Sequence, residues 1–325
     1  PIYTHSLTKT DFSKLENYMA AFVTNAAAFD GNWLLNRAFF ATALPAINRA
    51  IKEERPLPDW HRGVVELVCN WVMRDAMVLG AKQVCVLFDG NKNFRKDIYP
   101  EYKSGRHKNR EEKSNKEGAV SMEISCYDAL PELLHQIDAY GIPWYQDPRH
   151  EADDLFASLS HWQKDRNEVL WLVCNDKDMV QLVRSNVCCY KPPVGKKEAV
   201  RITMATVQHL KKGMTAQQHL AYQILSGDAV DSIPGVMSHA AANRIVTDPS
   251  FVNLRTWFKT KVGKECLNQY RAELVRTKQL VTLVTDVFEE RPSLTVKRVR
   301  VPTGAPRVAH DFQEFVFSRQ RSFFQ

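Results

Sequence analysis

The sequence predicts an α/β fold in which helices flank a mostly parallel central sheet, followed by a smaller helical lobe. Short apolar runs of strand length alternate with segments of helical spacing up to about residue 205, and the pattern is then mainly helical to about residue 283. Such alternation is typical of a parallel sheet covered on both faces. We therefore expect an α/β core at 1–205 and, packed with it as one unit, a helical lobe and C-terminal tail at 206–325.

Buried strands are predicted where a short apolar run ends in turn-forming residues. The run that begins at Phe22 ends at Asp30, and the run at 84–88 ends at Asp89. Further strands are predicted at 142–145, at 169–174 and as a pair around 188–202.

Helices are predicted where apolar side chains recur at three- and four-residue steps. The strongest is at 62–79, and Gly80 ends it. The others are expected near 14–21 and at 33–51, about 122–140 and 151–163.

Composition limits the classes of function. The 325 residues carry a formal net charge of +7, which suits a polyanionic partner without requiring one. No apolar run is long enough to cross a membrane, and the first residues lack the features of a secretory signal. Seven cysteines without a CxxC pair argue against a disulfide framework or structural zinc. No nucleophile-elbow or phosphate-loop motif is present.

Acidic residues follow the predicted strands. In open α/β sheets, functional sites form outside the carboxyl ends of the strands, so these carboxylates are expected to converge. An all-oxygen set without His or Cys favours Mg²⁺, with Mn²⁺ able to substitute, and so many carboxylates suggest two ions. The expected metal ligands are Asp30, Asp89, Glu151, Asp153, Asp154, Asp176, Asp178, Asp228 and Asp231.

Each acidic position also has a simpler explanation. Asp-Gly at a strand end is commonly a turn, and acids that open a helix complement its dipole. Taken singly, these explanations are the more common ones, but turn chemistry alone does not readily produce four such clusters at equivalent strand ends.

Residues 92–116 form a basic segment, with nine Lys or Arg against four acids. Its cations would attract phosphate and its aromatic side chains would offer stacking surfaces for bases. A solvated charge run explains the composition equally well. The position directly after Asp89 favours contact with nucleic acid, and the expected residues are Phe94, Arg95, Lys96, Tyr99, Tyr102, Lys103 and Arg106.

Four ordered motifs in this chain resemble those of the 5′-nuclease superfamily, which includes flap endonucleases, phage 5′ exonucleases and the 5′-nuclease domain of bacterial DNA polymerase I. The resemblance extends from about residue 22 to 285. The motifs are FDG with FR and YKSGR at 88–106, EADD at 151–154, NDKDMVQL at 175–182 and GDAVDSIPGV at 227–236.

This resemblance implies a PIN-like core, a basic helical arch at about 92–118 and a C-terminal helix-hairpin-helix lobe. Asp30, Asp89, Glu151 and Asp153 would hold one metal, and Asp176, Asp178 and Asp231 the other. Asp154 and Asp228 would contribute directly or through water. Arg95, Lys103 and Arg106 match the basic arch positions, and we expect one or two of them to stabilise charge on the scissile phosphate. The hairpin, with Gly235 and Val236, would bind the duplex backbone.

The chain departs from the family pattern after Val236. A further glycine and a lysine are usual there, whereas this sequence continues Met237-Ser238-His239. The departure puts in doubt the K⁺ that the family often binds at this hairpin.

The resemblance implies a structure-selective 5′ nuclease of replication or repair that cuts branched or 5′-ended DNA. Endonuclease and exonuclease action, and DNA and RNA/DNA substrates, stay open. So does a polymerase, clamp or single-strand-binding partner. We expect a monomer in the cytoplasm of a bacterium or phage-infected host. The alternatives are a catalytically weak DNA-binding protein of the same fold and, ranked last, a PIN-type ribonuclease, whose domains are much shorter.

Overall fold

A computed structural model of the chain describes residues 24–105, 124–164, 166–207 and 214–294. The helix predicted near 14–21, the basic segment from Arg106 to 116 and the C-terminal tail lie outside the described residues.

The core is a six-stranded sheet in the order β3-β2-β1-β4-β5-β6. The first five strands are parallel to their neighbours, and β6 pairs antiparallel with β5. This confirms the predicted mostly parallel sheet. The strands are β1 Thr24–Asp30, β2 Ala81–Phe88, β3 Trp144–Gln146, β4 Glu168–Val173, β5 Val187–Lys191 and β6 Val200–Ile202.

Helices cover both faces of the sheet and form the second lobe. The predicted helix at 33–51 is interrupted by a π turn at Phe39–Ala43, next to Pro45, which has no N–H to continue the helical ladder. The helices are α1 Gly31–Ala38, α2 Leu44–Lys52, α3 His61–Val78, α4 Phe94–Ile98, α5 Leu130–Ala139, α6 Ala152–Trp162, α7 Ala216–Ser226, α8 His239–Val246, α9 Leu254–Trp257 and α10 Lys261–Val281.

Alternating side chains of the strands build two separate cores. In β1, Ala27 and Phe29 face the side covered by α1, α3 and α5, whereas Ala26 and Ala28 face α6. All four are fully buried, as expected for a central strand covered on both faces.

The helical lobe has its own core, and it includes part of the basic segment. Tyr102 is buried among side chains of α7, α8 and α10, and Ile98 and Tyr99 pack against the same cluster. The chain then returns to the sheet, where Val84 N–H donates to Leu294 O at 2.8 Å. The lobe, the basic segment and the sheet thus meet at the carboxyl edge of the central strands.

Candidate active site

The acids at the ends of β1 and β2 are held by backbone N–H groups. Asp30 caps α1 by accepting a hydrogen bond from Trp33 N–H at 2.9 Å. Asp89 accepts one from Ala152 N–H, the first residue of α6, at 2.8 Å. Strand β1 lies between β2 and β4, where the strand order reverses, so both acids lie at the position where open α/β sheets bind ligands.

Glu151 caps the start of α6 and receives the basic segment. Its carboxylate accepts a hydrogen bond from the Tyr102 hydroxyl at 2.8 Å and forms an ion pair with Lys103. Burial alone would raise the pKa of Glu151, but Lys103, together with Arg95 and Tyr102, lowers it below its ordinary value. Glu151 therefore stays ionised beside the cleft.

Lys103 adopts an unusual backbone conformation to reach this position. Its φ is 59°, in the left-handed region that non-glycine residues rarely adopt. Its N–H donates to Asp231 O at 2.9 Å, while its ammonium contacts Glu151. The turn thus joins the basic segment to both sides of the acidic cleft.

Strong charge repulsion surrounds Asp30 and Asp153. Burial, with the negative charges of Asp89 and Asp176, raises the pKa of Asp30 to about 7. Burial and the charge of Asp176 raise the pKa of Asp153 well above its ordinary value, and Asp30 and Glu151 add to the effect. A divalent cation would relieve this repulsion, so Asp30, Asp89, Glu151 and Asp153, the first acidic group, fit a cation site.

A second acidic group consists of Asp178, Asp228 and Asp231, and a carboxylate oxygen of each lies within 4.8 Å of the others. Asp178 follows β4 and accepts a hydrogen bond from Gln223 Nε2 of α7 at 2.6 Å. Asp228 ends the short strand β7 (Gly227–Asp228), and Asp231 lies on the turn that joins it to the antiparallel strand β8 (Ile233–Pro234). Burial and Asp176 raise the pKa of Asp178 to about 6. An all-oxygen set at this spacing fits Mg²⁺ or Mn²⁺.

Asp176 links the two groups. Its charge contributes to the raised pKa of Asp30 and Asp153 in the first group and of Asp178 in the second. One of its oxygens accepts a hydrogen bond from Asp178 N–H at 2.7 Å. The two groups therefore belong to one electrostatically coupled cleft.

The raised pKa values make stability depend on pH. The folded protein binds protons at Asp30 and Asp178 more tightly than the unfolded chain, so their stabilising contribution is complete below the ordinary pKa of 3.8 and is lost as pH rises above it, the last part between about 6 and about 7. In EDTA, we expect the unfolding temperature to fall across this window, with a shallower fall in Asp30→Asn. Thermal unfolding at several pH values measures this. A wild-type unfolding temperature that rises or stays level would contradict it.

The position of Asp154 differs from the expectation that it binds a metal. Its side chain is 0% exposed. Its carboxylate binds Arg95 through two hydrogen bonds of 2.6 and 2.7 Å and accepts Val284 N–H at 2.9 Å. Because Asp154 is fully buried and paired with Arg95, it holds the structure around the cleft and is not placed as a direct metal ligand.

Arg95 and Tyr102 are also placed differently from the expectation. Arg95 is 1% exposed and, besides Asp154, its Nε donates to Leu280 O at 2.9 Å. Tyr102 is 4% exposed, with its ring in the core of the helical lobe. Both side chains line the cleft from its buried side, and Arg95 anchors α4 on α10 through Leu280 O, so neither presents an exposed surface for stacking on a base.

The remaining residues of the basic segment have different surroundings. Lys96 is exposed, and Phe94 is half-buried with its ring 5.4 Å from that of His150. Tyr99 is half-buried, and the Arg276 guanidinium lies 5.1 Å from the centre of its ring. Arg106 lies outside the described residues. Contact of Phe94, Lys96 and Tyr99 with nucleic acid stays a prediction.

Gly235 and Val236 end the β7–β8 hairpin. Gly235 is exposed, and a Cβ there would lie 2.1 Å from the backbone of Ser226, so only glycine fits. Val236 N–H donates to Leu225 O at 2.9 Å, so it is not available to a phosphate. The hairpin supports Asp228 and Asp231 and leads to α8, which Ser238 caps.

Two further residues contact the acids and were not predicted from the sequence. Lys177 forms an ion pair with Asp228, with Nζ and Oδ2 2.5 Å apart. Gln223 holds Asp178 from a helix 45 residues later. Lys177 lies within the NDKDMVQL motif, which could have revealed it, whereas no sequence signal marks Gln223.

A parallel sheet whose carboxyl edge brings two coupled groups of carboxylates together is the arrangement of a metal-dependent nuclease. Comparison with known proteins identifies the family. Residues 25–212 match the family described as 5′-3′ exonuclease, N-terminal resolvase-like domain. The chain belongs to this family, which confirms the predicted 5′-nuclease resemblance.

Curated relatives include longer enzymes. DNA polymerase I of Bacillus subtilis (strain 168) is 27% identical over 267 residues, which are 79% of this chain and 27% of the polymerase. The chain therefore spans only a small part of that relative. The 5′-3′ exonuclease of Buchnera aphidicola subsp. Acyrthosiphon pisum (strain APS) is 28% identical over 226 residues, or 69% of this chain and 71% of the exonuclease.

Solved structures share the fold. The bacteriophage T5 flap endonuclease, in a pseudo-enzyme-product complex with DNA and metal ions, has a TM-score of 0.57 and 19% identity over 90% of this chain and 98% of its own. In the described ranges of this chain, no helix combines the length and apolar character needed to cross a membrane.

Proposed function

We propose that this protein is a structure-selective 5′ nuclease that hydrolyses phosphodiesters with two divalent cations, Mg²⁺ or Mn²⁺. It acts on 5′ flaps and free 5′ ends of DNA during replication or repair. The observation that carries the proposal is geometric: Glu151 and Asp153 of the first acidic group line the same cleft as Asp178, Asp228 and Asp231, whose carboxylate oxygens lie within 4.8 Å of one another.

Each of the two acidic groups binds one cation. Asp30, Asp89, Glu151 and Asp153 hold one, and Asp178, Asp228 and Asp231 hold the other with Asp176 between them. Held by these carboxylates, the two cations would supply an activated water and would offset the negative charge of the phosphodiester. The protein holds the carboxylates in place through the backbone of α6, Gln223 and the β7–β8 turn.

Among the residues that the structure describes, Lys103 is the cation best placed for the scissile phosphate. Its ammonium contacts Glu151 at the edge of the cleft and is partly exposed. A phosphate that reaches the acids would pass this ammonium, which would stabilise its negative charge. The Tyr102 hydroxyl orients Glu151 from the buried side. We assign charge stabilisation to Lys103 and no longer to Arg95.

The net charge of the protein and its similarity to known nucleases indicate the class of substrate. The chain has a net charge of +7 although its cleft is acidic, so the rest of the protein carries an excess of positive charge, which suits a polyanionic substrate. The related T5 structure contains DNA and metal ions, and the Buchnera relative is a 5′-3′ exonuclease. DNA with a 5′ end or flap is therefore the proposed substrate. An RNA primer on DNA is the variant to compare with it.

The test is cleavage of a 5′-labelled flap duplex by the purified protein, with Mg²⁺ and with EDTA. We expect products cut near the junction only when Mg²⁺ is present and none in EDTA, because the carboxylates repel a phosphate unless cations neutralise them. Product lengths distinguish endonuclease from exonuclease action, and a flap with an RNA 5′ segment measures primer preference. Flap binding without cleavage in both Mg²⁺ and Mn²⁺ would contradict the proposal and favour a DNA-binding protein of the same fold.

A further inference from the structure

Lys177 lies between Asp176 and Asp178 in the sequence, and its side chain contacts a third acid, Asp228. Its ammonium lies 2.5 Å from Asp228 Oδ2. The lysine side chain is 44% exposed, whereas that of Asp228 is 5% exposed. The lysine can therefore move into solvent at little cost, while the aspartate stays in the cleft.

The two oxygens of Asp228 have different partners. Oδ1 accepts a hydrogen bond from Val230 N–H at 3.0 Å, which fixes the carboxylate on the β7–β8 turn. Oδ2 receives the Lys177 ammonium. A cation between Asp178, Asp228 and Asp231 would bind the same carboxylate that the Lys177 ammonium contacts. Two positive charges would then lie beside one carboxylate, so the cation and the ammonium oppose each other there.

We propose that Lys177 is an internal counter-ion of the second cation site, which a divalent cation displaces when it binds Asp228. The inference rests on the proposed two-cation function. In the metal-free protein the ammonium offsets repulsion within the second acidic group. The same ammonium weakens binding of the second cation, because the two positive charges repel each other at short range.

The test is a titration of the full chain with Mn²⁺ in the absence of DNA. Electron paramagnetic resonance measures the Mn²⁺ that remains free. We expect wild type to bind two ions and Lys177→Met to bind the weaker ion about tenfold more tightly. Lys177→Arg keeps the charge and should stay close to wild type. Lys191→Met is a matched control, because Lys191 donates to the carbonyl of Asn175 and not to a carboxylate.

A second measurement does not depend on Mn²⁺ affinity. In EDTA, Lys177→Met should unfold at a lower temperature than wild type because Asp228 loses its counter-ion, and Mn²⁺ should remove this difference. If wild type binds two ions and Lys177→Met binds the weaker one no more tightly, the inference is overturned and the proposed function stands. If wild type binds fewer than two ions, both fail.

Discussion

Replacing Asp176 by asparagine is expected to lower flap cleavage by about 10²- to 10³-fold, because its charge acts on both acidic groups at once. The variant keeps a side-chain oxygen that can accept the Asp178 N–H, so the local turn should persist. Cation binding should weaken in both groups, whereas binding of the flap in EDTA should change little. Single-turnover cleavage and flap binding, measured on the same preparation, separate the two effects.

The same substitution is expected to stabilise the metal-free protein. Asp176 contributes to the raised pKa of Asp30, Asp153 and Asp178, and each of these shifts reflects repulsion in the folded state. Removing the charge should raise the free energy of unfolding in EDTA by about 1 kcal/mol, the usual size of such a gain at a functional site. Glu198→Gln, on an exposed loop, is the control. Native cleavage, or a loss of stability in Asp176→Asn, would show that Asp176 does not link the two groups.

Placement of these acids was largely predictable, for a geometric reason. Parallel strands end at the same edge of their sheet, so an acid that follows each of β1, β2 and β4 must arrive at one edge. Asp30, Asp89 and Asp176 therefore converge as predicted. The strand order that places β1 between β2 and β4 is not visible in the sequence, because the alternation of strands and helices predicts a parallel sheet but not its order.

Residues within a helix could not be assigned in the same way. Asp153 and Asp154 are neighbours in sequence, but consecutive residues on an α-helix point about 100° apart. Asp153 is therefore coupled to the acids of the cleft, whereas Asp154 faces inward towards Arg95. The motif EADD does not indicate which acid takes which direction.

Partners that are distant in the chain explain the other differences. Arg95 lies in a run of basic residues that resembles a solvated face, and its burial depends on Leu280, 185 residues later. Gln223 likewise reaches Asp178 only through the packing of α7 against the turn after β4. No local pattern encodes such contacts, because they depend on how the helical lobe packs against the sheet.

Arg95→Met is expected to destabilise the protein by about 3 to 5 kcal/mol, the usual cost of leaving a buried charge without its partner. Asp154 is 0% exposed and would lose both of its guanidinium hydrogen bonds. Leu280 O would lose its donor as well. Urea unfolding measures the effect, and Lys96→Met is the matched control because Lys96 is the exposed neighbour of Arg95. The control should change stability by less than about 0.5 kcal/mol.

A second substitution tests the cause of this destabilisation. In Arg95→Met/Asp154→Asn the buried negative charge is removed, while an amide oxygen remains to accept Val284 N–H. The double variant should therefore be more stable than Arg95→Met alone, since the unpaired charge carries much of the cost. If Arg95 instead contacts the scissile phosphate, Arg95→Met would unfold like wild type and lose cleavage rate alone. That result would make Arg95 a catalytic residue. It would contradict the structural role in which Arg95 connects α4 to α6 and to the end of α10.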